Sequence, residues 1–404
     1  MKHFFYYLTA VIAFLLPLHG GITVFLPEPF RWWKEVLLLL LALLLVGLEL
    51  KTIVNKGVKH WVKSFSRTEI FAGLFFLWGV ILLFLNADMF YSAYALRYLL
   101  LPVGVFLLVS RVNKQFSADF QQKNLKNFAQ WFVGGLLVSV LFAFLFQQLQ
   151  LSNTLLSFYS AVPSSWVPGQ ILQKWHETHG FVRWQGLSSG PIELSHLLVL
   201  GLACLPFTKL KKHGQWLLGL IFVGAVLASF SRSAVLALGV LFCWEISQRY
   251  NLKKYYTTYK KAVLFGMCGL LFVGWLFAPK ILNRAGTSDH FTRPVKALRV
   301  GLKSPVLGNL AQLGPAARMK NLQENNNDQA LIAENVLVDV FAQMGLVGLC
   351  LFFLFLYQVH KQLPRQYRSV FYALFLMMNL ATIFDMTPIS IAYFWMFGGL
   401  VYKK

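Results

Sequence analysis

At 404 residues, 57% hydrophobic and only 13% charged, the chain carries too much apolar surface for a soluble fold, where about 25% of residues are charged. Lipid has to be the solvent for most of it. A net charge of +22 is compatible in sign with a nucleic-acid partner, but the basic residues gather in short connections between apolar runs, which excludes that reading and points to membrane topology.

Twelve apolar runs are read as spans, at 4–26, 34–50, 69–86, 91–110, 128–149, 191–207, 215–230, 233–248, 262–278, 334–357, 368–385 and 388–402. Such runs suit helices crossing a hydrocarbon core of about 30 Å. Period-two alternation is absent, which excludes a closed barrel. The fold class expected is therefore all-α, a polytopic membrane protein of about twelve helices. The first run lacks a small-x-small cleavage site and is read as a retained helix. Cys204, Cys243, Cys268 and Cys350 all lie within apolar runs and read as small buried hydrophobes, with no metal-ligand or C-x-x-C spacing.

The runs divide the chain into spans one to nine over 1–278, a polar excursion over 279–333 and the last three spans over 334–404. Lys and Arg bias sets the orientation. With both termini inside, Lys2, the clusters at 51–67, 111–126, 209–212, 249–261 and 361–368, and Lys403–Lys404 all fall in cytoplasmic segments, together well over half of the 37 basic residues. The segments 150–190 and 279–333 then lie outside. A connection as long as the second is usually functional or disordered. Its basic residues oppose the topology bias, so they need another cause.

Candidate site residues follow from that geometry. Arg183 lies just before the helix expected from Pro191, whose positive dipole end would complete an anion site; a phospholipid-head contact is the bland alternative. Arg232 sits in Ser231-Arg232-Ser233, at an outer turn between two spans. A planar guanidinium fork matches phosphate; capping of helix carbonyls is the alternative. Arg97, two turns into its helix, must pair or face water, with Glu193, Asp339 and Asp385 as possible partners. In the long loop, Lys296, Arg299 and Lys303 share a helical face, which is either a solvated face or a binding stripe with Arg293. Glu334 is the one acid at the outer mouth of the tenth span, either a base whose pKa lipid burial raises or a helix-starting carboxylate. Asn335 follows it, and Asp289-His290 offers a second base or a solvated loop pair.

No phosphate-cradling glycine loop, metal cluster or nucleophile elbow appears. An outer-face enzyme without a nucleotide must receive its substrate already activated, and several arginines suit a lipid-linked diphosphate.

The residues Trp33-Lys34-Glu35, Arg183…Gly186-Leu187…Gly190-Pro191, Ser231-Arg232-Ser233-Ala234, Asp289…Arg293…Ala297, Ser304-Pro305-Val306-Leu307-Gly308, Glu334-Asn335 and Gly345-Leu346-Val347-Gly348, in that order, resemble the bacterial O-antigen ligase and O-antigen polymerase superfamily. The resemblance implies a metal-independent glycosyltransferase of the cytoplasmic membrane, without a cofactor. It moves a glycan from undecaprenyl diphosphate to a glycan, lipid or protein acceptor on the outer face. It implies Arg183 and Arg232 as diphosphate ligands. Many ligases have His-Asn where this chain has Glu334-Asn335, so Glu334 becomes the candidate base, with Arg97, Arg293, Lys296, Arg299, Asn335 and His290 as substrate contacts. The alternatives are a repeat-unit polymerase of the same superfamily and a non-enzymatic transporter of lipid-linked glycans. A transporter would show broken helices in matching halves.

Overall fold

The computed structural model describes residues 1–27, 32–86, 88–151, 177–178, 181–249, 287–323, 331–333, 335–380 and 389–401. The expected span 262–278, Cys268, Glu334 and Asp385 lie outside them. The described residues form a helical membrane protein. Six of its helical stretches are long and apolar enough to cross a bilayer: Lys2–Phe25, Trp33–Lys56, Arg67–Leu85, Met89–Lys114, Ala118–Gln148 and Val336–Gln362. The chain from Pro191 to Cys243 supplies three shorter apolar stretches, and two helices of 13 residues close it.

The first span is interrupted. Helix α1 (Lys2–Leu15) gives way to a tight turn at Leu16–Leu18, and α2 (His19–Phe25) follows. Pro17 has no N–H to continue the ladder, which accounts for the break. Helices α3 (Trp33–Lys56), α4 (Val58–Lys63), α5 (Arg67–Leu85), α6 (Met89–Lys114) and α7 (Ala118–Gln148) come next. A two-residue antiparallel pair, β1 (Glu177–Thr178) with β2 (Phe181–Val182), precedes α8 (Pro191–Cys204), α9 (Lys212–Ala228) and α10 (Arg232–Arg249). The polar excursion contributes α11 (Thr287–Gly301) and α12 (Gly314–Gln323), before α13 (Val336–Gln362), α14 (Arg368–Leu380) and α15 (Ile389–Val401).

The core lies where α6, α7, α13 and α15 meet. Phe106 packs edge-on to Phe355 at 5.4 Å and to Trp395 at 6.3 Å, while Phe132 lies 4.9 Å from Phe394. Offset and edge-on pairs of this kind add about 0.5–1.5 kcal/mol each beyond their buried area. Cys204 is buried as expected, but Cys243 and Cys350 are exposed on the protein surface. An apolar helix in lipid has an outward face as apolar as its inward one, so an apolar run alone does not say which side a cysteine takes.

Ion pairs fix the direction of the helices. Arg97 reaches Glu35 at 3.0 Å near the starts of α6 and α3, and Arg111 reaches Glu49 at 2.7 Å near their ends, so the two run parallel. Trp78 donates to the carbonyl of Met344 at 2.8 Å, and Phe75 lies 5.5 Å from Phe352. Helix α13 therefore runs antiparallel to α5 and starts at the end where α6 starts. The Lys320–Asp88 ion pair brings α12 to that same end. We call it the arginine end.

The far end is locked by charge. Arg111 donates through Nε and Nη2 to both oxygens of Glu49, at 3.1 and 2.7 Å, and lies 3.8 Å from Glu69, whose other oxygen takes Lys114 at 2.9 Å. Ser66 and Glu69 form a reciprocal capping box at the start of α5, satisfying backbone donors the helix cannot. With Glu49 only 13% exposed and held by both its oxygens to Arg111, Arg111→Ala is expected to cost about 3–5 kcal/mol by leaving a largely buried carboxylate without that partner. Thermal unfolding of the purified protein in detergent checks this; an unchanged midpoint would show the network to be dispensable.

Helix α13 is broken at Gly345, with φ 66° and ψ −171°. Residues 305–309 fill the break. The N–H of Leu346 donates to the carbonyl of Pro305 at 2.8 Å, and that of Asn309 to Ala342 at 3.2 Å. Non-helical backbone within an apolar bundle persists only where protein or water satisfies it, and here the polar excursion does so. Ser304 shapes the insert: it accepts Gly308 N–H at 2.8 Å and donates through Oγ to Gly308 O at 3.0 Å.

Candidate functional site at the arginine end

Three connections converge at this end. The first is the run from Arg183 to Pro191. The Trp184 N–H donates to Ala228 O at 3.2 Å and Arg183 Nε to Ser229 O at 2.7 Å. These carbonyls belong to the last turn of α9, which has no helical donors left for them. Arg183 thus caps a helix C-terminus with one nitrogen, the structural role that sequence reasoning offered for Arg232. Its two Nη groups make no hydrogen bond with the described residues. Further on, Leu187 N–H donates to Ser139 Oγ at 2.9 Å, Gly21 N–H to Leu187 O at 2.7 Å, and Ser188 Oγ to Pro17 O at 3.2 Å. A Cβ on Gly20 would sit 2.3 Å from Ser188 backbone, so this packing of α2 on the 186–190 turn requires glycine.

The second connection is Ser229–Ser231, between α9 and α10. Phe230 takes φ 50°, which lets the chain reverse within three residues and places Arg232 on the first turn of α10. Arg232 is exposed; Ser231 is 3% exposed. Burial lowers the pKa of Arg183 from its ordinary value, and the neighbouring positive charge of Arg232 lowers it further. The two guanidinium groups therefore share one electrostatic environment, next to the positive end of the α10 dipole. No carboxylate among the described residues offsets that charge at Arg183.

The third is the start of α3. Lys34 is buried, with Nζ 3.1 Å from Nε2 of the buried His19 and within electrostatic reach of Glu35, Glu193 and Arg97. Among the described residues Arg97 pairs with Glu35 rather than with Glu193 or Asp339; Glu35 lies in the first turn of the parallel neighbour, level with Arg97. The start of α8 is also not the anion site expected beside Arg183. Glu193 occupies it, accepting from Ser189 N–H at 2.6 Å and from Ser189 Oγ, so a carboxylate already satisfies the dipole and would repel a phosphate.

The remaining candidates are placed as follows. Lys296 and Arg299 are exposed on α11 and make no hydrogen bond or ion pair with a described residue, as a solvated face would have it; Arg293 is half-buried. Helix α11 instead packs through Ala297 against Ala333 and Ala342. His290 lies on α11, outside the described side chains. Asn335 has its amide engaged: Oδ1 accepts Leu337 and Val338 N–H, both at 3.0 Å, and Nδ2 donates to Asn379 O at 3.2 Å. It is an N-cap, which leaves little of it for a substrate.

Sequence reasoning missed three features. His196 is fully buried, with Nε2 2.8 Å from Ser233 Oγ, joining α8 to the residue after Arg232. The histidine was visible, but its partner lies 37 positions away. Asp339 accepts from Gln343 at 2.8 Å inside α13. Gln185 is 4% exposed, and neither Oε1 nor Nε2 has a hydrogen-bond partner among the described residues; each such group costs about 1–3 kcal/mol. Among the described residues, no group of three or more His, Cys, Asp or Glu could hold a metal ion. No protein-family model and no curated protein matches the chain.

Proposed function

We propose that this protein is a membrane glycosyltransferase of the O-antigen ligase type, moving a glycan from undecaprenyl diphosphate to an acceptor hydroxyl on the outer face of the cytoplasmic membrane. In this reading both termini are cytoplasmic, about twelve spans cross the bilayer and the arginine end faces outward. The observation that carries it is the placement of Arg183 and Arg232 at one connection: Arg183 is anchored to Ser229 O, three residues before Arg232 on the first turn of α10, which sets two guanidinium forks beside a helix N-terminus, donors that two linked phosphates match.

The chemistry then divides among the residues. Arg183, anchored by Nε to Ser229 O, and Arg232 hold the diphosphate and take up charge as the anomeric carbon–oxygen bond breaks with its electron pair to the leaving diphosphate. The acceptor oxygen attacks from the opposite face, which inverts the anomeric centre, and its proton goes to Glu334 as general base. The apolar grooves between helices take the polyprenyl tail.

The transporter reading has one observation in its favour: helices are broken near both ends of the chain, at Pro17 and Gly345. Transporters use the unwound backbone of such breaks to bind ions or substrate. Here residues 305–309 already hydrogen-bond to the Gly345 break, which leaves it closed to cargo. The purified protein, given lipid-linked glycan and acceptor, is expected to release undecaprenyl diphosphate. Movement of intact donor across vesicles without release would establish the transporter instead. A second donor molecule serving as the acceptor would establish the repeat-unit polymerase.

A further inference from the structure

We infer that Gln185 reads the sugar attached directly to the diphosphate, so that the arginine end recognises its donor through a sugar-specific contact as well as through charge. This rests on the diphosphate reading above. Gln185 lies two residues after Arg183, on a segment pinned on both sides: Trp184 N–H to Ala228 O before it, Leu187 N–H to Ser139 Oγ after it. The backbone is thus held on both sides, and the side-chain torsions of Gln185 decide what its amide meets. The residue is 4% exposed, and both its amide oxygen and its amide nitrogen are buried without a hydrogen bond to a described residue.

The pair of orphan atoms is matched by one class of ligand group within a lipid-linked glycan. A phosphate only accepts, so it would satisfy Nε2 and leave Oε1 unpaired. A cation would do the reverse. A carbohydrate hydroxyl or acetamido group donates and accepts at once, matching an amide that presents both functions. In a lipid-linked glycan the group next to the phosphates is the first sugar, and Gln185 is the buried amide next to the phosphate-gripping arginine.

The test uses the purified full-length protein and three probes: undecaprenyl diphosphate alone, and the same lipid carrying one hexose or one N-acetylhexosamine. The wild type is expected to bind at least one sugar-bearing probe about tenfold more tightly than the bare lipid. Gln185→Met, of similar shape but without polar atoms, is expected to lose that preference, bind the bare lipid as the wild type does, and keep or raise the ligand-free unfolding midpoint. Equal binding of all three probes by the wild type overturns the inference without reference to any variant. So does a preference that survives Gln185→Met. If the wild type binds none of the three, the diphosphate reading fails, and the inference with it.

Discussion

Arg232→Ala is expected to lower glycan transfer by about 100- to 1000-fold while leaving the amount of protein in the membrane unchanged. Removing one preorganised donor from a site where charge develops has an effect of that order. The protein level is expected to hold because Arg232 is exposed on the first turn of α10. Removing a cation from the positive end of a helix dipole is neutral or slightly favourable to the fold. Arg232→Lys is expected to recover little of the loss, since an ammonium is a point charge without the planar fork that meets two phosphate oxygens. Transfer measured in membranes, alongside immunodetection of the protein, separates the outcomes. Transfer at the wild-type rate in Arg232→Ala would remove this residue from the site.

Gly345→Ala is expected to be the most damaging added methyl among the described glycines. A Cβ there would lie 2.1 Å from Val306 O and 2.6 Å from Gly308 N. Both are backbone atoms of the insert that fills the α13 break, so neither can turn aside as a side chain does. The conformation itself, φ 66° and ψ −171°, belongs to a region that essentially only glycine occupies. Strain and overpacking together put the cost at about 3 kcal/mol or more. Gly47→Ala is the matched control: it is mid-helix in α3, with nothing within 4 Å of the added carbon, and is expected to be neutral or to stabilise by about 0.5–1 kcal/mol. Unfolding midpoints of the two variants in detergent test the contrast; equal midpoints would mean that the insert does not hold the break.

Much of the helical framework was legible because lipid imposes it. Long apolar runs have few alternatives to a helix, and the six long helical stretches fall on expected spans. The reversal between α9 and α10 was also readable from Ser231-Arg232. Pairings were not legible, because spacing along one chain says nothing about which helices are neighbours. Arg97 was assigned three possible acids and takes a fourth, Glu35, from a parallel helix 62 positions earlier. The helix start at Pro191 looked like an open anion site, yet its own Glu193 folds back on Ser189. The segment 304–309 carries Pro305 and Gly308, the punctuation of a turn. Its hydrogen bonds into α13 depend on the break at Gly345, and a glycine in an apolar run is too common in membrane helices to announce one.

The claim on which the rest depends is that Arg183 and Arg232 grip the same diphosphate. Binding of undecaprenyl diphosphate to the wild type, Arg183→Ala, Arg232→Ala and the double variant tests it directly. Groups that share one ligand are coupled, so each single change is expected to weaken binding at least tenfold, with the double variant departing from the sum of the two by about 0.5 kcal/mol or more. Affinities unchanged by either substitution, or losses that simply add, would contradict it.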